Sequence, residues 1–137
     1  MDDGDERHAL IRHTTRQFAD AKIRPVAVEL DASERFPEDL YREMAELGLF
    51  GITIAEELGG AGADCVAYAI VMEELARGYA SIADQCGLVE LVATLLAEHG
   101  TPAQHQRYLA PMLQARRRPA YAITEAEAGS DVSGIRS

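Results

Sequence analysis

The stretch "YAITEAEAGSDVSG", Tyr121–Gly134, decides how the chain is interpreted, because it departs from the helical pattern of everything before it. Tyr121 and Ile123 alternate with Ala122 and Thr124, which is the two-residue period of a β-strand. Small and acidic residues follow, as they do in a turn. Because one strand is not stable alone, we expect it to pair with a sheet supplied by a larger protein or by another polypeptide.

The first half of the chain predicts helices separated by a glycine-rich loop. Apolar residues recur at three- or four-residue steps over Glu6–Asp31, with a kink or a new start expected at Pro25. Pro37 with acidic neighbours predicts a second helix start, and Gly48 fits a left-handed C-terminal cap. Residues 49–63, "LFGITIAEELGGAGA", are interpreted as a loop packed by its own apolar side chains.

The second half predicts three further helices. Asp64 caps a helix that runs to about Arg77, and Ser81 resembles the start of a capping box. The helix after Ser81 carries apolar residues around most of its circumference, which suits the middle of a bundle or a contact with another chain. Gly100 ends that helix, and Thr101 begins the last one. We therefore expect an all-α bundle of about five to six helices with a short C-terminal β segment.

Charge and cysteine content narrow the class of protein. The formal net charge is −10, so a nucleic-acid-binding role is not expected. The only basic run, Arg116–Arg118, is interpreted as a solvated helix end, with an anion contact as the alternative. Cys65 and Cys86 both fall in apolar helical patterns, which predicts buried, reduced thiols and a cytoplasmic protein. The acidic first residues do not resemble a secretory signal, and we expect no membrane span.

The most specific chemical feature is the turn around Ser130. Gly129 allows close backbone approach, and the amides of Gly129, Ser130 and Asp131 could hold an anion. Tyr121 and Thr124 could place a ring and a hydroxyl group against a flat ligand. On local signals alone, a polar turn with a capping serine is the commoner structure. Histidine spacing predicts no metal site, and the paired acids Glu56-Glu57 and Glu73-Glu74 predict solvated faces.

Three stretches together resemble the acyl-CoA dehydrogenase family. Residues 121–137, "YAITEAEAGSDVSGIRS", are similar to its flavin-proximal signature, a strand ending in Thr-Glu followed by a spacer and Ala-Gly-Ser-Asp. Residues 36–64 are similar to its first helical hairpin and glycine loop, and residues 99–113 to the helix before the signature. The resemblance implies a helical N-terminal domain over residues 1–118 and the incomplete start of a β middle domain over residues 119–137.

The resemblance also implies site residues. Tyr121, Ile123 and Thr124 would contact the isoalloxazine ring of FAD, and Gly129 and Ser130 would lie near the FAD pyrophosphate. Ser130 would also approach the thioester-pantetheine arm of an acyl-CoA substrate. The chain departs from the family pattern at Ala55 and Ala126, where proline is usual, and at Glu90, where histidine is frequent; the changes at Glu90 and Ala126 leave the substrate class open.

The family reaction is the α,β-dehydrogenation of an acyl-CoA, in which a glutamate removes a proton and the flavin receives a hydride. In the family that glutamate lies in the C-terminal bundle and no residue here matches it, so we expect no catalytic residue and no activity in the isolated chain. The implied partners are an acyl-CoA, an electron-transfer acceptor, and either a homo-oligomer (dimer or tetramer) or a partner subunit. The alternative is a non-catalytic helical module or a split subunit that docks on a partner carrying the remaining domains.

Overall fold

The computed structural model describes residues 3–137 and confirms the all-α fold. The chain forms two composite helical rods, residues 3–33 and 102–113, and each contains a π-helical turn. Three simple helices lie between them in the order of the chain. The helical elements are α1 (Asp3–Phe18), a π-helical turn (Ala19–Ile23), a 3₁₀ turn (Arg24–Val26), α2 (Ala27–Ser33), α3 (Glu38–Glu46), a 3₁₀ turn (Glu56–Leu58), α4 (Cys65–Gly78), α5 (Ala80–His99), α6 (Pro102–Gln104), a π-helical turn (His105–Leu109), α7 (Ala110–Leu113) and a 3₁₀ turn (Val132–Gly134).

Proline explains both π-helical turns. A proline inside a helix lacks the backbone donor, and its ring crowds the carbonyl four residues earlier. Before Pro25 the helix widens, so that the amide of Arg24 donates to the carbonyl of Ala19, five residues back. The amide of Ala110 makes the same kind of bond immediately before Pro111. The chain stays right-handed through both places, so the kink expected at Pro25 is a local widening of one continuous rod.

The core lies between α1, α4 and α5, with α4 packed against both of the others. The glycine loop and the end of the last rod close it from the side. Its members are mostly aliphatic, as the low aromatic content requires. The largest fully buried side chains are Ile23, Met44, Val71, Glu74, Leu75, Val89, Leu109, Thr15 and Cys86.

The contact between α1 and α4 contains a buried carboxylate. Glu74 is fully buried and accepts hydrogen bonds from Arg12 at 2.7 Å, Arg16 at 2.7 Å and Arg77 at 2.8 Å. The prediction of a solvated face holds for Glu73, which is exposed, and is wrong for Glu74. Hydrogen bonds from the arginines, led by Arg16, lower the pKa of Glu74 to about 2 against the cost of burial.

The turn after α3 matches its predicted cap. Gly48 has a φ of +71°, and its amide donates to the carbonyl of Ala45 at 3.0 Å. The amide of Leu49 donates to the carbonyl of Met44 at 2.9 Å, which completes a Schellman motif. In the loop that follows, the apolar side chains turn inward as predicted. The buried ones are Leu49, Phe50, Ile52 and Ile54.

Helix α5 begins one residue earlier than its sequence indicates. Tyr79 is extended, and its carbonyl accepts from the amides of Ile82 at 3.0 Å and Ala83 at 3.4 Å. Ser81 therefore lies inside the first turn, and the capping box predicted there is wrong. The capping box predicted at Thr101 is present, because Thr101 and the side chain of Gln104 bond to each other's amides.

Among residues 3–137, α5 is also the one helix long and apolar enough to cross a membrane by length and composition, with a mean hydropathy of 1.4. The core helix of a folded domain passes the same test, so this finding is weak. Cys86, Val89 and Ala93 are buried against the rest of the domain, and so is the carboxylate-bearing Glu90. This packing is that of a core helix.

The two cysteines differ in exposure. Cys86 is fully buried, its thiol donates to the carbonyl of Leu49 at 3.0 Å, and burial raises its pKa to about 12. Cys65 is the first residue of α4 and is exposed. The prediction of a buried thiol is right for Cys86 and wrong for Cys65, because the first turn of α4 lies at the surface.

Replacing Glu74 by glutamine should lower the free energy of unfolding by about 2 kcal/mol near neutral pH, because three guanidinium groups lose a charged acceptor. The folded pKa is depressed from 4.5 to about 2, so this stabilisation is present above the ordinary pKa and is lost as the pH falls toward the folded value. Urea unfolding across that range should therefore show a shallower pH dependence for Glu74→Gln than for the unmodified chain. The control is Glu73→Gln, at an exposed position; parallel pH curves for the unmodified chain and Glu74→Gln would contradict the interpretation.

An aromatic disulfide such as dithiobis(nitrobenzoate) should modify one cysteine quickly in the native chain and the second only after unfolding. The thiolate is the reactive form, and the buried Cys86 thiol is both inaccessible and held protonated. Absorbance of the released thiolate measures the rates. Cys65→Ser should remove the fast phase, and two fast thiols in the native chain would disprove the assignment.

Candidate functional site

The segment that leaves the last helix is fixed at its start. Arg116–Arg118 are predicted from the sequence to lie at a helix end. Helix α7 already ends at Leu113, so these three residues lie beyond the helix. The guanidinium of Arg118 pairs with Glu38 at 3.0 Å and lies 4.2 Å from the ring centroid of Phe36. These contacts hold the start of the segment to the first turn of α3 and to Phe36 just before it.

Residues 121–124 form neither a helix nor a paired strand. Tyr121 is 50% exposed and Ile123 is 40% exposed, and Ala122 and Thr124 are exposed as well. The predicted alternation is therefore not used to separate a buried face from a solvated one within this chain. Among residues 3–137 no backbone lies beside this stretch to form a ladder, which is the physical reason that the expected strand is unpaired.

The only β pairing among the described residues is a single antiparallel bridge between Glu125 and Ala128, whose backbone groups bond reciprocally at 3.0 and 3.2 Å. The Glu125 carboxylate also accepts from the amides of Arg136 and Ser137, each at 3.0 Å. The Ser137 hydroxyl and these amides lower the pKa of Glu125. Sequence reasoning missed this role, because donors and acceptor are eleven or twelve residues apart and no local pattern marks them.

Residues 129–131 form an exposed bend. In the part of the chain that the structure describes, the amides of Gly129, Ser130 and Asp131 donate to no protein acceptor. A Cβ atom added at Gly129 would meet nothing within 4 Å, and the Ser130 side chain is exposed. Asp131 instead turns its carboxylate to the amide of Ser133, at 3.2 Å. Free amides, a hydroxyl and open approach fit a phosphate group.

An apolar surface lies beside this segment. Leu91 and Leu95 on α5 are 42% and 46% exposed, and Tyr108 in the π-helical turn is 38% exposed. A shallow hollow between α5 and the last rod is lined on one side by Pro119 and Ala120, so the segment starts next to this surface. Pro119 and Ala120 therefore lie next to Tyr108 and to the side of α5 that carries Val92 and Leu96.

Other candidate groups stay apart. Among residues 3–137, no three side chains of the metal-ligating types cluster. His8 pairs with Asp64 at 2.9 Å, and His105 contacts the carbonyl of Leu96 at 2.9 Å, so both rings have structural partners. Glu90, noted in the sequence as a departure from the family pattern, is buried and bonded to the glycine loop.

Known proteins resemble this chain in both sequence and fold. The model for the acyl-CoA dehydrogenase N-terminal domain matches residues 5–116. The short-chain specific acyl-CoA dehydrogenase of Clostridium acetobutylicum is 38% identical over 127 residues, covering 89% of this chain and 32% of that protein. A subunit of the caffeyl-CoA reductase-Etf complex of Acetobacterium woodii is 37% identical over 133 residues, covering 95% and 35%.

The structure of butyryl-CoA dehydrogenase from Megasphaera elsdenii superposes with a TM-score of 0.84 and 28% identity, covering 99% of this chain and 36% of that one. The chain spans about a third of the length of the curated relatives it matches. The family resemblance is confirmed by a match that covers two of the three motif stretches, residues 36–64 and 99–113. The chain belongs to the acyl-CoA dehydrogenase family, and residues 5–116 correspond to the N-terminal domain of that family.

Proposed function

We propose that this chain supplies the helical domain and the first flavin-contacting segment of an FAD-dependent acyl-CoA dehydrogenase. The observation that carries the proposal is the exposed bend at residues 129–131, whose amides have no protein acceptor within residues 3–137, in a member of this family. In this proposal residues 1–118 form the helical domain and residues 119–137 begin a β domain. In this proposal the isolated chain contributes only contacts to the flavin and the substrate, and the reaction requires the remaining domains.

In the assembled site, the exposed residues of the segment hold the cofactor. Tyr121, Ile123 and Thr124 pack against the flavin ring, and their exposure leaves their side chains and backbone groups available for that contact. The amides of Gly129 and Ser130 and the Ser130 hydroxyl donate to the pyrophosphate, where hydrogen bonds to a charged acceptor are strong. When bound, FAD supplies the electron chemistry by accepting a hydride from the substrate.

The proton chemistry comes from outside this chain. A general base must reach the α-proton of the acyl thioester, and no residue here matches the glutamate that does this in the family. Ser130 approaches the thioester-pantetheine arm and positions it, which is a binding role. The Acetobacterium woodii relative is a subunit of a reductase-Etf complex, which supports an electron-transfer partner for the complete enzyme.

A second candidate is a split subunit that docks on a separate polypeptide carrying the β and C-terminal domains. The observation that favours it is the exposed apolar surface of Leu91, Leu95 and Tyr108. Burying a leucine side chain contributes about 1.5–3 kcal/mol, so a partner that covers this surface gains substantial binding energy. Homo-oligomers, either dimers or tetramers, would cover further surface. Co-purification in fixed ratio from the native source distinguishes a separate subunit from a continuous chain.

The isolated chain, mixed with FAD, an acyl-CoA and an artificial electron acceptor, should show no acceptor reduction. Adding a second polypeptide with the β and C-terminal domains of a family member should restore flavin retention and turnover, because it completes the site and brings the base. Flavin absorbance after gel filtration and the acceptor assay measure the two effects. Turnover by the chain alone, or an assembled complex that retains no flavin, would sink the proposal.

In that assembly, Ser130→Ala should weaken FAD retention by about tenfold, the effect of losing one hydrogen bond to a charged group. Equilibrium titration followed by flavin fluorescence measures the change. Ser81→Ala is the matched control, because Ser81 is also exposed but lies in the first turn of α5. Equal affinity for the Ser130 variant and the control would remove Ser130 from the site.

A further inference from the structure

The glycine loop contains a set of hydrogen-bond donors that one of the chain's own carboxylates occupies. Glu90 is only 6% exposed, and its carboxylate accepts three hydrogen bonds from the glycine loop. The amide of Ile52 donates to Oε2 at 2.8 Å, and the amide and hydroxyl of Thr53 donate to Oε1 at 2.7 and 2.6 Å. An ionised carboxylate only accepts hydrogen bonds, so this set of three donors fits it.

The amides of Ile52 and Thr53 are available as donors because the backbone hydrogen bonds within the loop do not use them. The carbonyl of Gly51 accepts from the amides of Ile54 at 3.2 Å and Ala61 at 2.9 Å, and the carbonyl of Ile52 accepts from Ala63 at 2.8 Å. Within residues 3–137, the amides of Ile52 and Thr53 find no backbone acceptor. Gly51, with a φ of +70°, turns the chain so that the next two amides point the same way. Successive amides in such a turn form an anion-binding nest.

A second contact lies one helical turn earlier on the same face of α5. The thiol of Cys86 donates to the carbonyl of Leu49 at 3.0 Å and is fully buried. Cys86 and Glu90 therefore hold the two sides of the loop's first bend, one as a donor and one as an acceptor. A buried loop amide without its acceptor would lose a bond that water cannot replace.

The position of the loop matters for the segment beyond the helices. A Cβ atom added at Gly51 would lie 2.7 Å from Cδ2 of Leu113, so loop and side chain are in close contact. Leu113 is the last residue of α7, from which the chain continues to the candidate segment. The loop therefore packs against the side chain at the end of this helix.

We propose that residues 51–53 form an anion-binding nest whose resident anion is the Glu90 carboxylate, and that Glu90 is a positioning residue. It acts through the loop and Leu113 on the point where the chain leaves the helical domain. The nest itself stands independently of the proposed flavoenzyme role, while its effect on flavin binding rests on that role. The position at which the family often has histidine is here Glu90, and its carboxylate accepts hydrogen bonds from the loop.

Hydrogen exchange in the full 137-residue chain tests the nest directly. Glu90→Gln keeps the size of the side chain but places an amide group against one of the donors, so exchange at Ile52 and Thr53 should accelerate by about tenfold or more. Amides in the middle of α4 should keep their rates, and a Leu113 methyl resonance should shift. Glu98→Gln, at an exposed position of the same helix, is the control and should change none of these.

Two outcomes overturn the proposal. Unchanged exchange at Ile52 and Thr53 would show that the carboxylate does not hold the loop. Equal acceleration throughout α4 would show that Glu90 contributes only to global stability.

Chemical rescue tests the anion requirement separately. Glu90→Ala removes the carboxylate, and added formate or acetate should slow exchange at Ile52 and Thr53 in a saturable way. Chloride at the same ionic strength and neutral acetamide should not. Fast exchange that acetate leaves unchanged would contradict an anion-binding nest. If Glu90→Ala does not fold, the exchange measurement on Glu90→Gln decides the proposal.

In the assembled enzyme, Glu90→Gln should also reduce flavin retention relative to Glu98→Gln. Normal retention together with faster loop exchange would overturn the link to the flavin segment. An unmodified assembly without flavin would refute the proposed function, and the exchange data on the chain alone would still decide the nest.

Discussion

Helix α5 has more apolar surface than the domain can cover, and the rest of the structure follows from that constraint. One side is buried against α4 and the glycine loop, where Cys86, Val89 and Ala93 are inaccessible. The other side leaves Leu91 and Leu95 almost half exposed. Exposed leucines that stand singly are ordinary, but these two lie one helical turn apart on α5, and the exposed Tyr108 lies beside the same helix. A surface of this kind is expected to meet further protein.

The polar contacts of α5 serve the covered side. Glu90 and Cys86 attach the glycine loop, and the loop contacts Leu113 at the end of the last rod. On the far side of the domain, the Glu74 carboxylate joins α1 to α4 through three arginines. Both buried carboxylates have several donors, which is the condition under which a buried charge is tolerated.

Features that depend on neighbours in sequence could be predicted. The left-handed Gly48, the cap at Asp64 and the capping box at Thr101 each follow from a few adjacent residues, and the structure contains all three. The family signature likewise identified Tyr121–Ser130 as the candidate site, although the roles of its residues remain predictions. Helix boundaries were less secure, as Ser81 shows, because a shift of one residue moves a capping side chain into the helix.

Features that depend on distant residues could not be predicted. Glu74 is indistinguishable from Glu73 in sequence, and the packing of α1 supplies two of its three arginines. Glu90 meets donors 37 and 38 residues away, and no local pattern announces a loop amide without an acceptor. The alternation over residues 121–124 predicts a strand, but a ladder requires a second strand that the described residues do not contain.

The central claim is that further domains of a flavoenzyme cover the exposed face of α5 and the segment after α7. Hydroxyl-radical footprinting of Leu91, Leu95 and Tyr121 tests it most directly, in the chain alone and in the flavin-loaded assembly with the β and C-terminal domains. The account predicts strong labelling of all three in the chain alone and protection in the assembly, with Leu10, exposed on α1, as an internal reference in both. Equal labelling in the two states would contradict it.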